Sequence, residues 1–406
     1  MLQSPALALV AFLAVLAFNT PASASPDPAD WDAVLTEARG QRVYWHAWGG
    51  DARVNDFIAW VGRETRARYG VDLRQVKVSD TAEAVSQVLG EKGAGRDTGG
   101  AVDLIWINGE NFATLKQNKL LFGPWAQQLP NWRYVDVGGK PTVLEDFTLA
   151  TEGYEAPWIM AQLVFYHDSR RLPEPPLSMP ALLAWARAHP GRFAYPQPPD
   201  FLGTTFLKQA LYGLLEDPSV LLKPVSQDAF DTLSRPLWDF LEQLTPLLWR
   251  SGQAYPNNGA RLRQLMADGE IDLALSFNPG EVSTSIATFE LPDSVRTYVL
   301  SGGTIGNSSF VAIPYNANAI AGSMVVANFL LSAEAQARQQ NPRIWGSPSV
   351  LAIDRLPAAE RRWFDQLPSA AASLSAEQLG VPLPEPHPQW TERLEQHWQQ
   401  SYGVSR

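Results

Sequence analysis

Four short stretches concentrate the polar chemistry of this 406-residue chain: Trp48-Gly49-Gly50-Asp51, Asn108-Gly109-Glu110-Asn111, Asp200 with Thr204 and Thr205, and Asn278 before Pro279-Gly280. Each follows an aromatic or aliphatic run that reads as a strand, and the first three open a helix. A helix start offers free backbone N–H groups and a partial positive charge, so it attracts polar or anionic groups. Acidic and amide side chains there also cap their own helices, which is the competing use of Asp51, Asn108, Asp200 and Asn278. Trp48 ends one strand and Trp158 opens a later extended run, and an aromatic face at either place suits stacking on a flat or cationic ligand, worth ~0.5–2 kcal/mol each. With Asp51, Glu110 and Asp200 beside them, the pattern favours a cationic or nitrogen-heterocyclic small molecule. The hydroxyls of Thr204 and Thr205 serve either an anion or local capping.

Other chemistries are excluded. The chain has no cysteine, which removes disulfides, thiolate metal sites and cysteine nucleophiles. Its five histidines stand at His46, His167, His189, His387 and His397, with no pair at helical metal-ligand spacing. No cofactor or metal is expected. No G-x-S-x-G, H-E-x-x-H or G-x-x-x-x-G-K-[ST] motif occurs. Lys and Arg total 32 against 42 Asp and Glu, a net charge of -10, so nucleic acid is not a partner.

These residues need a scaffold that brings strand ends together. Ala6 to Phe18 is an uninterrupted apolar run, shorter than the ~20 residues that span a bilayer, and Ala22-Ser23-Ala24 follows it. This predicts an export signal over 1–24, cleaved after Ala24, and a periplasmic mature protein. Strands at 43–48, 71–78 and 102–107 alternate with helices, which implies a parallel-rich sheet flanked by helices. A second α/β set is expected through strands at 192–195, 271–277 and 296–300, and a single helix over 319–339. Extended apolar runs at 158–167 and 310–314 read as crossings between the sets. The expected architecture is an α/β protein of two lobes: 25–157 with 315–406, and 168–309. The ligand then lies in the cleft between them.

Local text carries a resemblance. Val164-Phe165-Tyr166-His167-Asp168, Pro175-Pro176-Leu177-Ser178-Met179-Pro180-Ala181-Leu182-Leu183, and Asn328-Phe329-Leu330-Leu331-Ser332-Ala333-Glu334-Ala335-Gln336 resemble segments of periplasmic solute-binding proteins of ABC importers, type II, with two crossing strands. Ala47-Trp48-Gly49-Gly50-Asp51, Asn108-Gly109-Glu110-Asn111-Phe112, Pro198-Pro199-Asp200-Phe201 and Ser276-Phe277-Asn278-Pro279 are similar to the YnjB-like branch of that family. The resemblance implies a non-enzymatic, monomeric receptor. It would close two lobes around a small polar solute and present it to a membrane permease driven by an ATPase. The candidate ligand-binding residues are Trp48, Gly49, Gly50, Asp51, Asn108, Glu110, Asn111, Trp158, Asp200, Thr204, Thr205 and Asn278. The rival reading is a secreted hydrolase working through a carboxylate pair in the cleft.

Overall fold

The computed structural model describes residues 26–368 and 372–403, so the expected export signal and its cleavage site lie outside the described residues. After α1 (Trp31–Ala38), β1 (Arg42–Trp48) buries Val43, Trp45 and Ala47 and lies inside the first sheet. Then α2 (Ala52–Tyr69), β2 (Asp72–Val78), α3 (Thr81–Gly93), β3 (Leu104–Ile107) and α4 (Gly109–Gln117) alternate. β1 pairs in parallel with β2 and β3, a geometry that needs helices as crossovers. Residues 118–154 run in short 3-10 turns and a hairpin of β4 (Glu145–Asp146) and β5 (Leu149–Ala150). β6 (Glu155–Gln162) follows, and after Leu163 the chain continues as β7 (Val164–Asp168) in a different sheet.

The second lobe comprises α5 (Met179–Ala188), α6 (Phe201–Leu214), α7 (Gln227–Leu233), α8 (Arg235–Leu244), α9 (Gly259–Ala267), β8 (Leu273–Ser276), α10 (Glu281–Ala287) and β9 (Val295–Tyr298). Its sheet places β7 between β8 and β9, antiparallel to both. β10 (Gly306–Ala312) returns to the first sheet, whose order is β2-β1-β3-β10-β6. The chain ends through α11 (Ile320–Leu330), α12 (Ala333–Gln340), α13 (Ala358–Asp365), α14 (Ala376–Leu379) and α15 (Pro388–Tyr402). Apolar clusters cover both faces of the five-stranded sheet, as a parallel-rich sheet requires.

The structure moves several expected boundaries. β10 pairs with β6 from Gly306 opposite Gln162 to Ala312 opposite Glu155, so the expected crossing at 310–314 lies within or beside the first sheet. The return passage is 299–305 instead, fastened to the outward one where the Leu163 N–H donates to the Ile305 carbonyl at 2.7 Å. The expected strand at 192–195 is an extended segment with one bridge, Phe193 to Leu273. The long helix expected at 319–339 is α11 and α12, bent by 60° where the Ser332 side chain accepts from Ala335 N–H and starts a new helix.

A third passage between lobes was not expected. Phe364 and Leu367 pack in the first-lobe cluster, but Ala372, Trp390, Leu394 and Trp398 pack in the second. Trp390, Leu394 and Trp398 repeat every four residues along one face of α15 and are fully buried. Burying each large apolar side chain is worth ~1.5–3 kcal/mol, which explains why the C-terminal part of 315–406 joins the second lobe.

Long-range capping ties the first lobe together. α11 follows Ala319, which has no side chain to cap with; Gln41 Oε1 caps it by accepting from Gly322 N–H at 2.7 Å, and the buried carboxylate of Asp103, beside β3, holds the segment that enters it. Asp103 accepts from the N–H groups of Tyr44 at 2.8 Å, Asn318 at 2.9 Å and Ala319 at 2.8 Å. Asp103→Ala removes these acceptors and should lower stability by about 2 kcal/mol in urea titrations.

Candidate functional site

A cavity of about 730 Å³ lies where the strand ends and helix starts of the two lobes face each other. Trp48, Asp51, Asn108, Glu110 and Asn111 line it from the first lobe. Asp200, Thr204 and Asn278 line it from the second. The remaining candidates sit elsewhere. Trp158 is fully buried, packed against Trp45, Trp106 and Trp345 at centroid distances of 5.3, 4.8 and 5.6 Å. It backs Trp106 and Trp345, which do face the cavity. Thr205 is buried and its hydroxyl donates to the Phe201 carbonyl at 2.7 Å. Gly49 and Gly50 shape the turn: a Cβ on Gly50 would sit 2.3 Å from the Trp48 ring, and one on Gly49 2.7 Å from Lys77 Cβ.

Capping decides the electrostatics. The Asp51 carboxylate accepts from Arg53 N–H at 2.7 Å at the start of α2. Asp200 Oδ1 accepts from Leu202 N–H at 3.0 Å and Gly203 N–H at 3.3 Å at the start of α6. At α4 the Asn108 side chain makes no cap, donating instead to the Ser308 carbonyl at 2.6 Å. Asp146 of the β4–β5 hairpin takes that place, and both its oxygens accept from Gly109 N–H at 2.8 Å. Asp80 caps α3 in a capping box with Glu83. The starts of α2, α3, α4 and α6, which fit an anion in principle, therefore already hold the protein's own carboxylates.

Asp51 has a second role. It lies 3.2 Å from Arg53 and 3.3 Å from Arg263, while Arg53 also reaches Glu281 at 3.2 Å and Arg263 pairs with Glu281. These four side chains are 11–14% exposed and join α2 of one lobe to α9 and α10 of the other. Burial alone raises the Asp51 carboxyl, but Arg53 and then Arg263 outweigh it and hold the group below its usual range. Beside this clasp, Asn278 Nδ2 donates to the Trp345 carbonyl at 3.2 Å, a further bond between lobes.

Elsewhere in the cavity, Glu110, Asp200 and Glu395 form no ion pair among the described residues. Burial pushes Glu110 up to about 7, Glu395 of α15 up to about 7, and Asp200 up to about 6. Glu110 accepts from Asn111 Nδ2 at 3.2 Å and Glu395 from the Thr204 hydroxyl at 2.7 Å. The cation whose field reaches both, Lys208, is engaged by Glu385 at 2.6 Å, each 1% exposed. Asn307 Nδ2 donates to the other oxygen of Glu385 at 2.9 Å. Lys208 Nζ also lies 4.6 Å from the Phe147 ring centroid and 5.5 Å from that of Phe201. Glu395, Thr391 and Lys208 were missed from sequence. The stripe Trp390-Leu394-Trp398 shows that one face of α15 is buried, but says nothing of what the neighbouring Thr391 and Glu395 meet.

Two lobes joined by adjacent strand passages around a polar cleft define a type II solute-binding protein. Residues 61–351 match the family described as bacterial extracellular solute-binding protein, and the chain belongs to it. It is 44% identical to protein YnjB of Escherichia coli (strain K12) over 376 residues, 93% of this chain and 95% of that protein. Among solved structures it is similar to the periplasmic binding protein AfuA of Actinobacillus pleuropneumoniae, with exogenous fructose-6-phosphate bound (TM-score 0.62, 13% identity, 90% of this chain and 99% of that one). A putative spermidine/putrescine ABC transporter chain of Listeria monocytogenes aligns with TM-score 0.61 and 16% identity over 88% of this chain and 98% of that one. These structures establish the fold as that of the binding proteins of ABC importers.

Removing Arg263 leaves Asp51 and Glu281 to share Arg53 alone. Arg263→Ala should lower stability by about 2 kcal/mol in urea titrations. It should also raise the radius of gyration of the solute-free protein in small-angle X-ray scattering.

Proposed function

We propose that the protein is a periplasmic receptor that closes on a small organic cation and hands it to an ABC permease. The observation that carries this reading is the corner of Glu110, Asp200 and Glu395, carboxyls lacking a basic partner among the described residues, in a cleft where the starts of α2, α3, α4 and α6 already hold carboxylates. Aromatic side chains, Trp48, Trp106, Phe277 and Trp345, line other parts of the wall. The fold alone admits either charge, since one structural relative is described with a sugar phosphate and another by polyamines. The side chains of this cleft favour the cation. Solute touching both lobes stabilises the closed form and shifts the population towards it, the state a permease reads. Family and fold are those of binding proteins, which leaves the hydrolase reading without support.

The raised carboxyls set the pH dependence. Near and below pH 6 they hold protons and offer a cation little; a bound cation lowers their pKa values and expels those protons. Affinity should therefore rise from pH 5 to pH 8, by at most about tenfold per pH unit for each carboxyl that titrates. The solute-free protein carries the opposite linkage. Its raised carboxyls add stability in acid that is lost as pH rises through about 7.

A thermal-shift screen of organic cations against anions of similar size tests the reading. Saturation at about 100 times Kd adds ~2.7 kcal/mol and raises the melting point. Glu110→Gln and Glu395→Gln should each weaken the cation at pH 8 by about tenfold or more, with the solute-free melting point unchanged or higher. Stabilisation by anions and by no cation would overturn the proposal.

A further inference from the structure

We infer that the acidic corner is a seat for a primary ammonium group, held by Glu110 of α4 together with Thr391 and Glu395 of α15. This inference rests on the cation reading above and narrows it. Thr391 and Glu395 are one helical turn apart on the same face of α15, and both line the cavity. α15 packs against α4 and α6, which brings this face to Glu110 in the first turn of α4 and to Thr204 in α6.

The independent sign of a ligand is Thr391. The residue is 4% exposed, and its hydroxyl has no hydrogen-bond partner among the described residues. A buried hydroxyl left unpaired is costly, so a solute that bonds to it gains affinity. The two carboxyls beside it are under-used in the same way. Glu395 accepts one side-chain hydrogen bond, from Thr204, and Glu110 one, from Asn111, whereas an ionised carboxylate offers about four acceptor positions. A primary ammonium carries three N–H donors, one for each of Glu110, Thr391 and Glu395.

A quaternary ammonium fits the corner poorly. It has no N–H to give, so Thr391 stays unpaired, and it depends on aromatic faces instead. Phe147 and Phe201, the rings that face Lys208, already have that ammonium at 4.6 and 5.5 Å. Selection here therefore works through N–H donors.

The test is calorimetry and thermal shift on the purified protein at pH 8 with paired probes. The pairs are butylammonium and trimethylbutylammonium, benzylammonium and benzyltrimethylammonium, and 1,4-diaminobutane and its hexamethyl bis-quaternary analogue. The primary member should bind at least about tenfold tighter, which equals about 1.4 kcal/mol. Thr391→Val should weaken the primary amines about fivefold or more and leave the quaternary probes unmoved, while Thr391→Ser keeps the preference. Quaternary probes that bind as tightly as their primary partners, or a silent Thr391→Val, would overturn the seat and leave the cation reading standing. Binding by anions alone would overturn both, as would silence from every ammonium in the panel.

Discussion

A helix start that already holds a carboxylate has no free N–H groups or unopposed positive end for a second anion. This constraint organises the cleft. Asp51, Asp80, Asp146 and Asp200 occupy the starts of α2, α3, α4 and α6, and all four line the cavity or cap a helix that does. Two of these caps come from the residue expected by position. The cap on α4 comes from Asp146 in a hairpin 37 residues beyond Gly109, because Asn108 turns away to Ser308. With those four dipoles answered internally, Glu110 and Glu395 are the cavity-lining carboxyls raised by burial that neither cap a helix nor pair with a base among the described residues.

The two ends of the cleft divide the work. At one rim, Asp51, Arg53, Arg263 and Glu281 satisfy one another across the lobes. At the other, burial has raised Glu110 and Glu395, and among the described residues neither forms an ion pair. Between the two run the strand passages, bonded side by side at Leu163 and Ile305. The third passage places α15 against both lobes, and the buried Lys208–Glu385 pair anchors the segment leading into it.

Much of this was legible in sequence because a polar turn after an apolar strand is a local pattern. Trp48, Asp51, Asn108, Glu110, Asn111, Asp200, Thr204 and Asn278 were found that way, and all line the cavity. Their partners were not legible, since Asp51 meets Arg263 at a separation of 212 residues and Thr204 meets Glu395 at 191. Trp158 was misplaced for a related reason. An aromatic residue opening an apolar run fits a cleft wall or a core equally well, and only the packing of Trp45, Trp106 and Trp345 around it decides. The third passage escaped because the amphipathic pattern of α15 states that one face is buried without stating in which lobe.

A cationic solute that replaces protons in this cleft must release them as it binds. Titration calorimetry of the bound solute at pH 6.5, repeated in two buffers of different ionisation enthalpy, measures the protons exchanged. Net proton release on binding is expected, diminished in Glu110→Gln and Glu395→Gln. Proton uptake, or none exchanged, would contradict it.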